Sequence, residues 1–305
     1  MTGSRPILVT GASGFLGEAV CRALAGASRP VLAVHHLRPP PLEHPAVRWV
    51  QADLSSAVPL RGERGMEFGA VIHLAALLPS AATSTEEAAR LNRHIDDRVF
   101  RWAAARAASV IYASGTSVYG DLRGEALVDE RASVSPLDPY LQAKADGERS
   151  GADIVHKGGG RFVALRICAP YGPRQTARTV LQVFVERALA SEPLLYYGTG
   201  LREQAFTFAS DAAAACLLAL EAGDGCFNIA GSPAITMKDL ATMVARLAGK
   251  PAHFVRAAGR PDPQEGRRAR FDTRRAAREL GWTPKVPLRD GLLLCLQARR
   301  PEALA

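Results

Sequence analysis

Cysteine is scarce in this chain. Five occur in 305 residues, at positions 21, 168, 216, 226 and 295, with no C-x-x-C pair and no His/Cys cluster. That scatter argues against a disulfide framework or a zinc site and leaves the thiols as small core side chains. No run of 18 apolar residues exists, so no segment reads as a membrane span. The first apolar run starts at Ile7, which leaves no room for a signal peptide, and a cytoplasmic location is the expectation. Lysine is also rare: Lys144, Lys157, Lys238, Lys250 and Lys285 stand against 33 arginines. With alanine abundant, the formal charge of +8 fits a GC-rich coding bias better than a nucleic-acid-binding face. Internal repeats, low-complexity tracts and long charged tails are absent too.

What is present is a core. At 48% hydrophobic content the chain has material for one large domain or two unequal ones. Apolar runs recur at 7–10, 31–34, 47–50, 70–74, 109–113 and 161–168, with helical patterns between several of them. That alternation predicts a parallel sheet covered on both faces. The segment Arg38 to Pro45 holds four prolines, which excludes helix interior and makes it a loop after the second strand. Beyond Arg174 the alternation weakens. Helices are expected near 178–191, from Asp211, and from Thr236 to Ala248, with a turn at Gly198–Gly200. The short loop Gly158–Gly160 precedes a strand.

Directly after the run Ile7-Leu8-Val9-Thr10 come Gly11, Gly14 and Gly17, then a helix expected from Phe15 to Ala25. Such a turn can let the backbone approach a pyrophosphate, with the helix N-terminus favouring negative charge. A tight turn with no ligand is the plainer reading. Further on, Tyr140 and Lys144 lie four apart, on one face of a helix that Pro136 and Pro139 suit as an entry. An ammonium one turn away stabilises a phenolate, which makes the tyrosine useful for proton exchange.

The stretches Thr10-Gly-Ala-Ser-Gly-Phe-Leu-Gly17, Ala52-Asp-Leu54, His73-Leu-Ala-Ala76, Ser117-Val-Tyr-Gly120, Pro139-Tyr-Leu-Gln-Ala-Lys144, Leu165-Arg166 and Tyr171-Gly-Pro-Arg174 occur in this order. Phe227-Asn-Ile-Ala230 and Leu280-Gly-Trp-Thr-Pro284 follow. Together they make the chain similar to the extended short-chain dehydrogenase/reductases, the NAD-dependent epimerase/dehydratase group, whose members mostly act on nucleotide sugars. The resemblance implies an α/β fold: a Rossmann-type doubly wound parallel sheet over 1–171, rejoined by about 203–231, and a smaller substrate-binding lobe within 172–305. It also implies a homodimer paired through helices near 90–107 and 140–150.

The same resemblance assigns roles. Gly11, Ser13, Gly14, Phe15, Leu16 and Gly17 would hold the dinucleotide, Asp53 and Leu54 would face its adenine, and Leu74, Ala75 and Ala76 would line the nicotinamide side. Asn92 would fix a helix against the fourth strand. Lys144 would bond the nicotinamide ribose and Tyr140 would exchange the proton. A core or cap role is the alternative for Asp53, Leu54, Ala75, Ala76 and Asn92.

Three departures matter. The hydroxyl normally found three residues before the valine of Val-Tyr-Gly is replaced by Gly115, so Ser114 or Thr116 is the expected substitute, with Ser117 and Tyr119 weaker candidates. No acidic residue occurs between Ala19 and Leu42. His36 and Arg38 stand where an acid would bind the ribose, which favours NADP(H), with NAD(H) as the alternative. On the substrate side, Ala169, Gln204 and Ala205 replace expected polar contacts. Arg202 and Arg260 remain for a diphosphate, with the cluster 267–270 and 274–275 either solvated or assisting. The expected function is hydride transfer at a carbon of a nucleotide-linked sugar, first as a ketoreductase. The alternatives are an NAD-dependent 4-epimerase, a reductase of a non-sugar ketone, and a dinucleotide-binding sensor without catalysis.

Overall fold

The computed structural model describes residues 5–56, 67–124, 127–231 and 233–299. The first strand, β1 (Ile7–Thr10), is buried along its whole length. It is followed by α1 (Phe15–Gly26), β2 (Val31–His35), β3 (Val47–Gln51), β4 (Ala70–His73), α2 (Thr85–Ala104), β5 (Ser109–Gly115), α3 (Pro139–Lys157) and β6 (Phe162–Ile167). After β7 (Pro170–Tyr171) come α4 (Val180–Leu189), β8 (Leu194–Tyr196), β9 (Glu203–Gln204), β10 (Thr207–Phe208), α5 (Ala209–Glu221) and β11 (Gly225–Ile229). The remainder is β12 (Ile235–Thr236), α6 (Met237–Leu247), β13 (Val255–Ala257), β14 (Arg268–Ala269), α7 (Arg274–Leu280) and α8 (Leu288–Gln297).

Seven strands form one parallel sheet in the order β11-β6-β5-β4-β1-β2-β3. β1 pairs with β2 on one side and β4 on the other, so chain order reverses there. In an open α/β sheet that reversal leaves a crevice beyond the carboxyl ends of the strands. Alternate residues of β1 feed opposite cores. Ile7 and Val9 pack with Val20, Leu24 and the alanines of α5, and Leu8 packs with Ile95, Val99 and Phe100 of α2. This two-sided burial explains why the strands read as continuous apolar runs. A third core joins α4, α6 and α8 through Leu181, Leu240 and Leu292.

The doubly wound parallel sheet is the expected one, and most run boundaries hold within two residues. The helix expected near 90–107 starts earlier, at Thr85, because Ser84 caps it by accepting from the Glu87 amide. That expected near 140–150 continues to Lys157, its entry set by Asp138 capping Leu141 and Pro139 in the first turn. The helix expected from Asp211 begins at Ala209, and Thr236 is a cap accepting from Asp239 rather than a helical residue. Among the described residues no helix is long and apolar enough to cross a membrane.

Candidate active site

The glycine turn sits at the sheet's reversal point. Gly11 has φ +64°, and a Cβ there would lie 2.7 Å from the Ala75 amide nitrogen; one on Gly17 would collide with the Gly11 carbonyl. Both positions therefore need glycine for packing alone. Gly14 caps α1 without a side chain, which leaves the first-turn amides to an outside acceptor. Ser13, Gly14 and Phe15 line a cleft together with Glu18, Arg38, Arg174 and Thr176. Leu16 is half-buried against the core. Thr10 Oγ1 accepts from the Ala75 amide at 3.2 Å, so the turn is tied to the Leu74-Ala75-Ala76 segment after β4. Asn92 anchors that segment to α2, accepting from Leu77 N and donating to Leu77 O.

The adenine-side candidates are less open. Leu54 is buried in the core, and the Asp53 carboxylate accepts from the Ser55 amide and hydroxyl, which pull its pKa below the usual range. His36 lies 3.9 Å from Asp53 and is half exposed. Arg38 reaches Thr176 at 3.4 Å. Across the cleft, Arg174 and Arg22 both pair with Glu18. Two arginines thus pair with one carboxylate beside Ser13, and Arg38 lines the same cleft.

Tyr140, Lys144 and Glu148 form an i, i+4, i+8 stripe on α3. Lys144 is buried, donates to the Ala113 carbonyl at 3.2 Å and sits 4.6 Å over the Tyr112 ring. Burial lowers its pKa, against the raising influence of Asp96 and Glu148. Burial, with Asp96 and Asp138 nearby, pushes Tyr140 up to about 12. The phenol is held as an acid.

The candidate hydroxyls separate. Ser114 Oγ donates to Glu148 at 2.6 Å, inside a network in which Arg166 pairs bidentately with Glu148 and donates to Tyr119, and Tyr119 donates to Asn228. Ser114 and Tyr119 are therefore committed to the core. Thr116 is buried beside the Cys168 thiol, which donates to Ala205 O at 3.1 Å; Ser117 is exposed. At Gly115 a Cβ would meet nothing closer than 3.8 Å, so the missing side chain leaves usable space.

On the substrate side, Arg202 is spent: it pairs with Asp262 at 2.9 Å and donates to Gln264. Arg260 is exposed. Within the basic cluster, Arg270 pairs with Glu203, Arg274 with Asp272 and Arg275 with Glu279. Arg267 differs, because its Nε is buried without a hydrogen-bond partner, and burial plus the nearby Arg202 lower its pKa. Sequence reasoning offered Arg267 only as part of the 267–270 cluster and did not single out Asp96. The first was hidden among neighbours of one type, and the second was a charged residue on an otherwise apolar helix face.

Taken together, a glycine turn, free helix amides, a phenolic acid and a buried lysine fit a nicotinamide dinucleotide beside a carbonyl or alcohol. Residues 7–230 match the NAD dependent epimerase/dehydratase family, and the chain belongs to that family. An uncharacterized UDP-glucose epimerase of Bacillus subtilis is 30% identical over 192 residues, which cover 60% of this chain and 57% of that protein. A dTDP-glucose 4,6-dehydratase of Streptomyces griseus is 28% identical over 306 residues, covering 94% of this chain and 91% of the relative. In three dimensions, MoeE5 in complex with UDP-glucose and NAD matches with a TM-score of 0.84 and 29% identity, over 98% of this chain and 100% of the other.

Proposed function

We propose that the chain reduces a keto group on a nucleotide-linked sugar, with Tyr140 delivering the proton to the carbonyl oxygen. The observation that carries this reading is the half-buried Tyr140 phenol, held protonated one turn from the buried Lys144. A group with its proton retained at neutral pH is suited to protonating an oxygen rather than to deprotonating an alcohol. The nicotinamide dinucleotide, when bound, supplies the hydride. Gly11, Ser13, Gly14, Phe15 and Gly17 would hold its phosphates, and Lys144 would fix its ribose. Arg267, half-buried with an Nε donor to spare, would take the substrate diphosphate through a charge-assisted bond.

For the cofactor, the arginines at the cleft favour NADP(H). Arg38 and Arg174 flank Ser13, and a 2′-phosphate there meets more cationic than anionic charge. An NAD-dependent 4-epimerase is the second reading, favoured by the relatives' names and by the NAD in MoeE5. The two separate in one assay: the protein is mixed with a panel of nucleotide sugars and their 4-keto derivatives, with NADPH and NADH in turn. Net consumption of NADPH with a keto sugar supports the reductase. Interconversion of two sugars with no net change in the nicotinamide overturns it. A homodimer through α2 and α3 is also proposed, and sedimentation at a mass near the 32.5 kDa of one chain would reject it.

A further inference from the structure

We propose that Asp96 is a positioning residue for the Tyr140 and Lys144 pair: its buried carboxylate is the counter-charge through which helix α2 holds and tunes them. This rests on the reading of Tyr140 as the proton donor.

The geometry is a relay that starts at the dinucleotide turn. Thr10 Oγ1 accepts from the Ala75 amide, so its own proton is available to His73 Nδ1, 2.6 Å away. His73 Nε2 in turn reaches Asp96 Oδ1 at 3.0 Å. The other Asp96 oxygen accepts the Tyr112 hydroxyl at 2.7 Å. Asp96 is almost wholly buried.

The cation that cancels it is Lys144. Its ammonium lies on the face of the same Tyr112 ring whose hydroxyl Asp96 holds. A phenol bonded to a carboxylate has a more electron-rich ring, which strengthens its attraction for a cation. The other carboxylate near Lys144 is Glu148, and it is already matched by Arg166. Asp96 is therefore the carboxylate facing Lys144 that no guanidinium matches. Packing supports the same pairing: a Cβ on Gly147 would lie 2.5 Å from the Tyr112 hydroxyl and 2.8 Å from Asp96 Oδ2, so α3 can approach only with glycine there.

The groups facing the pair are few. Tyr140 feels Asp96 from α2 and Asp138 from its own N-cap, and Lys144 feels Asp96 and Glu148. His73 and Tyr112 face Asp96 from β4 and β5. Removing the Asp96 charge while keeping its shape makes Lys144 lose its proton more readily, because a stabilising negative neighbour is gone.

The chain has only five lysines, so carbon-13 labelling of lysine side chains gives a resolvable NMR titration of the full-length protein. The Lys144 signal is the one absent from Lys144→Met. In Asp96→Asn its midpoint should fall by about one pH unit or more. Asp97→Asn, which removes the next residue's exposed charge paired with Arg101, should leave it in place. If Asp96→Asn does not fold, Asp96→Thr is the second variant, since its hydroxyl can serve the same neighbours without charge. An unchanged midpoint in either folded variant overturns the proposal, as does failure of both to fold, which would make Asp96 a folding residue. A shifted midpoint in a protein that reduces no keto sugar would instead sink the functional reading and leave the positioning role standing.

Discussion

Helix α3 carries two buried charged groups that are treated in opposite ways. Glu148 is saturated: it accepts from Nε and Nη2 of Arg166, from Ser114 and from the Cys226 thiol, and Arg166 continues to Tyr119. One turn earlier, Lys144 has a backbone carbonyl, a ring face and an acid on a neighbouring helix, but among the described residues no carboxylate at ion-pairing distance. A fully paired cluster resists change and cannot exchange protons cheaply. An indirectly compensated one stays responsive to whatever charge arrives beside it. The difference divides α3 into a structural half and a chemical half.

The comparison breaks most sharply at Tyr140. Tyr140→Phe should lower kcat by roughly 10²- to 10⁴-fold while dinucleotide affinity, read by fluorescence titration, stays nearly constant. Retention of most of the wild-type rate would move the acid elsewhere. In the saturated half, Glu148→Ala should cost about 3–5 kcal/mol in urea unfolding, because it strands the Arg166 charge in the core. Loss of less than a third of that would mean the cluster is open to water.

Smaller effects sharpen the same division. Arg267→Ala should raise KM for a nucleotide sugar about 10- to 100-fold, as loss of a charged hydrogen bond predicts, with little change in stability. Arg38→Ala should remove a preference for NADPH over NADH of roughly tenfold, and equal affinities in the unaltered protein would defeat the cofactor argument. The least expected change comes from the strand end. Ser114→Ala should cost about 1 kcal/mol of stability and leave kcat alone, since that hydroxyl serves Glu148. A large fall in kcat for this variant would return Ser114 to the site.

Much of this was legible beforehand because it depends on local rules. Buried parallel strands read as apolar runs, and Gly11 and Gly17 mark a turn that admits no side chain. Tyr140 and Lys144 are neighbours by helical period alone. What the residues could not announce was pairing across the fold. Arg202 looked free until Asp262, far along the chain, was seen to hold it, whereas Arg267 looked ordinary and is the one with a buried donor left over. Ser114 and Thr116 were indistinguishable as letters; Glu148 claims the first. Burial, the main cause of the raised Tyr140 phenol, and the Asp96 charge from another helix that adds to it are likewise set by the fold.

The open volume at Gly115 has an evolutionary reading. A Cβ there meets only ordinary contacts, and the backbone is extended, with φ −140° and ψ 148°, a conformation any residue adopts. The glycine codons GGT and GGC become serine codons by a single base change, so where Gly115 is written with either, a hydroxyl-bearing neighbour lies one mutation away with space to receive it. Selection acting on that step would act on chemistry alone. The position is a cheap place for a lineage to gain or discard one catalytic group while the rest of the machine stays intact.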